Sequence, residues 1–375
     1  MIHHQIATMK SYQYIIDYFE NSPIIIQVVW ALSCILLIAV VILTIYLKKL
    51  RSRLRKNEKT VAEYQKEYES DLITYLYAGN EEAEISAEQQ VIIDKLRSCA
   101  TDEFKRRVIV STLLRLRNEI SGEMADAIQK LYFQSGLIIY ALKKLKSRRW
   151  YVVVKGIREL TQLRVKEVHD KMGVFVNHPK KEIRKEVQLY LVTLFHFDGL
   201  KFLDVLQTQL SEWDQIQLLE VLQRFDEQEI PDINPWLKSK NNSVVAFALK
   251  LAKIYNQFEV KDALIDLLSH QHKKIRVDTI HVLGHLQVVE AKDILKNNFD
   301  ILSQDEQIEF FKLLENLCET SDESFLLAHT TNQNFEIKLS ALKIIKILAG
   351  ETFKSLKYIS TDDDYIKIYE FLEYN

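Results

Sequence analysis

His281 and His285, four residues apart, are the pair in this chain best spaced to share a metal ion, with His270 and His272 on the link before them. Imidazoles at i and i+4 lie on one helix face, but a third ligand must come from elsewhere. The two flank Leu283, a core-facing position in the pattern described below. Water or a neighbouring repeat is therefore their expected surrounding, and no metal or cofactor is assigned. A second concentration is basic: LKKLKSRRWYVVVKGIREL (142–160) carries Lys143, Lys144, Lys146, Arg148, Arg149, Lys155 and Arg158 around Trp150. Cations with an interleaved aromatic can grip phosphate and stack a base, or meet anionic lipid or an acidic protein. A third is KKLRSRLRK, with Lys48, Lys49, Arg51, Arg53, Arg55 and Lys56. Each of these near an anionic leaflet contributes about 1 kcal/mol of attraction, although a role as the basic flank of a membrane span is sufficient to account for them.

Catalytic signatures are missing. The chain has no GxxxxGK[ST], GxGxxG, HExxH, CxxC or GxSxG, so phosphate loops, dinucleotide fingerprints, zinc motifs and nucleophile elbows are excluded. No catalytic residue is assigned, and the chain is expected not to be an enzyme.

The basic nonapeptide follows an apolar run, Ile24–Leu47, of 24 positions without a charge. As a helix it reaches about 36 Å, enough to cross a hydrocarbon core of about 30 Å with some tilt. Asp17 and Glu20 precede it, the positive cluster follows it, and no A-x-A pattern closes it. That order suits a retained anchor rather than a cleaved signal peptide. The positive-inside rule then puts residues 1–22 outside and the body in the cytoplasm. Pro23 suits the first turn, and Tyr46 an interfacial position.

Only 8 Gly and 4 Pro occur among 375 residues, too few for sheets with tight turns. Cys99 and Cys318 are distant from each other and Cys34 lies in the apolar run, so no disulfide framework is expected. The net charge of −2 hides an asymmetry: residues 101–185 sum to +11 and residues 186–375 to −12.

The body is repetitive. Apolar residues at offsets 0, 4, 8 and 11 make one helical stripe. The pattern fits Ile183, Val187, Leu191, Leu194; Val244, Ala248, Ala252, Tyr255; Ile275, Thr279, Leu283, Leu286; and Ile337, Ala341, Ile345, Leu348. Another copy is Val152, Gly156, Leu160, Leu163, and weaker ones begin at the polar Asp214 and Glu306. The starting positions 152, 183, 214, 244, 275, 306 and 337 are 31, 31, 30, 31, 31 and 31 residues apart. Fainter copies precede them at Ile120 and Ile92. Shorter helices between them, such as GLKFLDVLQTQL, VKDALIDLLSH and AKDILKNNFDIL, complete helix pairs that bury their apolar faces only by stacking.

Short links followed by an Ile-Arg pair, a small residue and paired leucines resemble HEAT repeats, and the spacing resembles the short variety also found in phycobilisome lyases. KKIRVDTIHVLGHLQVVEAKDIL is the best copy, and Arg184 and Lys338 match its Arg276. The resemblance covers about residues 85–375. It implies an all-α fold: an N-terminal transmembrane helix, a helical stalk and a right-handed α-α superhelix. The divisions expected are 1–22 outside, 23–47 spanning, 48–84 stalk and 85–375 solenoid.

In the stalk, Leu47, Leu50, Leu54, Val61, Tyr64, Tyr68, Leu72 and Tyr75 recur at three, four and seven. This stripe is expected to pack on the first repeat; the alternative is a short coiled coil and a homodimer through residues 48–76. Ser86 is a candidate helix cap.

The function these features suggest is a membrane-anchored cytoplasmic scaffold. Its solenoid would bind a protein, such as part of an integral membrane complex for signalling or for polysaccharide synthesis or export. The 142–160 basic segment would dock it, and nucleic acid is not expected. Alternatives are a HEAT-fold enzyme of lyase or glycosylase type, and a purely structural dimeric tether.

Overall fold

The computed structural model describes residues 23–78, 85–225 and 230–374, all helix, turn or loop. The expected outer segment 1–22 and the acidic stretch 79–84 lie outside the described residues. Contacts group residues 1–138 and 139–375 into two compact units.

The first unit is built on α1 (Ile24–Tyr77), a single helix of 54 residues. Pro23 caps it from outside the first turn. No residue of the apolar run is buried among the described residues, and the run is long and apolar enough to cross a membrane. The helix continues without a break into the stalk, where Tyr68, Leu72 and Tyr75 are buried against α2 (Ala87–Cys99), α3 (Glu103–Glu119) and α4 (Glu123–Gln134). Tyr64 stacks on Tyr68 and meets the edge of Phe104 at 6.1 Å. Tyr75 donates to Gln134 Oε1 at 3.0 Å, and Lys95 pairs with Glu67 and Asp71 at 2.8 and 2.7 Å. The packing expectation therefore holds from Tyr64 onward, which removes Tyr64–Tyr75 from any coiled-coil seam. Ser86 caps α2 in a reciprocal box with Gln89.

In the second unit the long repeat helices are Trp150–Gln162, Lys181–Phe195, Glu212–Leu222, Asn242–Ile254, Lys273–His285, Gln304–Leu317 and Phe335–Leu348. Each begins two residues before its start position, so the 31-residue register is a structural period. The first three pack in order, as do the fourth to seventh. The single 30-residue step, between the third and fourth, falls where neighbouring helices pack least closely.

Asp214 and Glu306, polar where the stripe calls for an apolar residue, are buried at the capped starts of their helices. Ser211 Oγ accepts from Asp214 N–H at 3.3 Å, and Glu306 accepts from Ser303 N–H at 3.0 Å. The Glu306 carboxylate thus satisfies a backbone donor of its first turn, while the Asp214 carboxylate accepts from the Ser211 hydroxyl.

Two expectations need correction. GLKFLDVLQTQL is not α-helical: His196–Val205 forms a 3-10 helix. It lies close against the preceding repeat helix at Gly199, where a Cβ would fall 2.2 Å from the Leu191 carbonyl oxygen, an approach only glycine permits. The copy at Ile120 is out of register. Ile120 ends α3, Gly122 turns the chain at φ 66°, and Met124 is exposed, though Ile128 and Leu131 are buried.

The basic position shared by Arg276 and Arg184 proves to be a link clamp. Arg276 donates to the His270 and Gln271 carbonyls at 2.8 and 3.3 Å; Arg184 makes the same bonds to His178 and Pro179 at 2.8 and 3.1 Å. Arg106 of α3 repeats it on Ala100 and Thr101 at 2.7 and 3.5 Å, a copy the sequence reading missed. Its signal was a basic residue four positions after the cap. Lys338 departs from the pattern and pairs with Asp362 instead.

Candidate functional site

The basic corner lies between helix Leu137–Leu145 and the first repeat helix. The two approach closely because Gly156 has no side chain; a Cβ there would sit 2.9 Å from Lys144 Cβ and 3.2 Å from the Ala141 oxygen. Gly156→Val is expected to splay the corner and cost about 1–3 kcal/mol, read as a lower melting temperature of the full chain.

The seven cations of this segment fall into two groups. Lys144 is bonded to the buried Glu159, and Arg158 to Glu186 of the second repeat helix. Lys143, Lys146, Arg148, Arg149 and Lys155 are exposed and have no carboxylate partner among the described residues. Lys143 lies over the Tyr140 ring at 5.3 Å. Beside them Trp150 and Tyr151, both 43% exposed, sit edge to face at 6.0 Å. The corner therefore presents uncompensated positive charge around two aromatic rings. Trp213 is also exposed, whereas Trp236 is buried and donates to Asp204 at 2.6 Å. Lys48, Lys49, Arg51, Arg53, Arg55 and Lys56, which follow the apolar run, are all exposed on α1.

The histidines do not converge. His281 sits between Lys253 and Glu309, with Lys253 Nζ 2.6 Å from Nε2 and Glu309 Oε1 2.6 Å from Nδ1. A charged lysine only donates, so Nε2 accepts and Nδ1–H donates to Glu309. Lys312 completes the row at 3.1 Å from Glu309. His285 turns to Asn256 at 3.0 Å, and His270 Nδ1 accepts from His272 N–H at 3.1 Å. Burial and the neighbouring His272 push the His270 pKa down. No group of three or more His, Cys, Asp or Glu among the described residues could hold a metal ion.

This row follows a rule. Lys253, His281 and Glu309 are spaced by 28, as are Arg158–Glu186 and Glu315–Lys343. The interval is one helical turn short of the repeat period, because each helix meets its neighbour one turn nearer the N-terminus. Oppositely charged pairs at i+28 were the signal available in the sequence.

Lys274 also pairs with Glu212, two repeats back. The N-terminal ends of the third and fifth repeat helices thus meet past the fourth, so this face is the inside of a local curve. Asp278 is half-buried there. Burial raises the pKa of its carboxyl, against the opposing pull of Lys274 and Lys250.

No family model matches the chain, and no curated protein matches it. Solved structures similar to it include an engineered protein, at 13% identity, over 82% of this chain and 98% of that one, with a TM-score of 0.36. Human deoxyhypusine hydroxylase in complex with glycerol is similar at 14% identity, over 77% and 98%, with a TM-score of 0.29. A structure of microtubule polymerases with tumor overexpressed gene domain arrays gives 10% identity, 80% and 84%, and 0.25. The repeat architecture rests on the register and packing described above, and these scores add no argument about function.

Proposed function

We propose that the chain is a membrane-anchored, non-enzymatic scaffold that holds a partner protein against the cytoplasmic face of a membrane. One observation carries the reading: the unburied apolar run and the packed stalk are one uninterrupted helix. Whatever binds the helical body is therefore tethered near the bilayer, which raises its local concentration for other membrane components. The basic flank after the run supports a cytoplasmic body. The partner is an acidic surface, such as the cytoplasmic part of an integral membrane complex. It docks on the five uncompensated cations and the Trp150–Tyr151 pair, where complementary charge steers and orients it.

The test is in-cell crosslinking of the full-length chain, followed by detergent purification and mass spectrometry. The variant reverses Lys143, Lys146, Arg148 and Arg149 to Glu and spares Lys144, whose loss would strip the buried Glu159 of its partner. The expected result is a membrane complex enriched with the parent chain and lost with the variant at unchanged helicity. The same proteins at the same yield from both would refute the docking site.

A further inference from the structure

The apolar stripe of α1 has two fates. From Tyr64 to Tyr75 it is covered by α2–α4, but Leu47, Leu50 and Leu54 remain 44%, 40% and 51% exposed. Leu47, Leu50, Leu54, Asn57 and Val61 lie within about 100° of arc. Their alternating steps of three and four are heptad positions a, d, a, d, a. Leu54 lies about 10 Å beyond Leu47 along the axis, outside the apolar run, so lipid does not cover it.

We propose that a second copy of this chain covers the stripe, as a parallel, in-register helix pair over residues 47–61. Two copies inserted by the same run have their helices parallel and like-numbered residues at one depth. The proposal therefore rests on the membrane-anchor reading. Charge supports the same orientation. Arg53 occupies a g position and Glu58 the e position five residues on, the pair that meets across a parallel two-stranded coil. Both are exposed on α1 and have no ion-pair partner among the described residues. The remaining bases, Lys48, Lys49, Arg55 and Lys56, take b and c positions and Arg51 an e position, which keeps all of them off the a/d seam. Asn57, at d, pairs with its own copy and penalises slipped registers. The seam ends at Val61, because from Tyr64 the body takes over the same face.

The test is oxidative crosslinking of full-length chains in their native membranes, in a Cys34→Ala background that also serves as the control. Leu50→Cys and Leu54→Cys place thiols on the seam, whereas Ser52→Cys and Lys59→Cys place them on the opposite face. Alkaline extraction of the same membranes reports insertion. Strong dimer bands at positions 50 and 54, weak ones at 52 and 59, and retention in the pellet are expected. In the Leu54→Cys chain, Arg53→Glu or Glu58→Arg alone should lower the dimer fraction about threefold, and the double exchange should restore it. Equal or absent crosslinking on both faces with the protein retained would overturn the pair and leave the anchor intact. Release by alkali would overturn the anchor and, with it, the argument for a common depth.

Discussion

Asp322→Ala is expected to destabilise the second unit by about 3–5 kcal/mol, because it leaves the buried Lys292 only the exposed Glu319 carboxylate at 3.4 Å. Asp322 is 1% exposed and Lys292 is 3% exposed. Lys292 and Lys296 donate to the carboxylate at 3.1 and 2.6 Å, and the Glu319 N–H at 3.0 Å. Burial alone raises the Asp322 pKa, but the bonds from Lys296, the Glu319 backbone and Lys292 outweigh it and hold the carboxyl below its usual value. Burial likewise works against a charged Lys292, and the bond to Asp322 outweighs it and raises the lysine. Glu306 behaves as Asp322 does: burial is outweighed by Arg276 and Ser303, and its pKa is lowered.

The direction of the pH dependence follows. A carboxyl with a depressed folded pKa contributes its full stability above its unfolded value, near 4. That contribution is lost as the pH falls through the folded value. Denaturant midpoints of the parent chain should therefore hold from neutral pH down to about 4 and then fall. Asp322→Ala should start lower and fall less steeply. An unchanged midpoint at neutral pH would show that the pair contributes nothing net.

Leu283→Asp is expected to be the most damaging single change. Leu283 is fully buried in the fifth repeat helix, at offset 8 of the stripe. Removing a buried leucine side chain costs about 2–5 kcal/mol in a packed core, and an unpaired carboxylate adds its desolvation. Stacked repeats depend on their immediate neighbours, so the fourth to sixth repeat helices should lose protection first. Hydrogen exchange would show that loss, together with reduced helicity by circular dichroism. Native exchange in those helices would mean that the register is wrong.

The legible part of this chain was its apolar periodicity. Burial of Ile183, Val187, Leu191 and Leu194 follows from their 3.6-residue spacing, a local property that any stacked helix must satisfy. The same logic, applied to an uncharged run long enough for a bilayer and to a stripe continuing past it, yields α1. Composition alone, through few Gly and Pro, excluded sheets.

Charge was less legible, because a side chain's partner depends on how neighbouring helices are rotated and offset. Seven cations read as one patch, yet Glu159 and Glu186 occupy Lys144 and Arg158, and only the packed helices show which five remain. His281 and His285 share a face by spacing, but tertiary packing gives one to Lys253 and Glu309 and the other to Asn256. Asp214 and Glu306 look like faults in the stripe until the serines three residues before them close the helix ends. The division of α1 at Tyr64 is the same case. One continuous apolar stripe is written in the residues, and the docking of α2–α4 decides how much of it the fold uses and how much stays exposed.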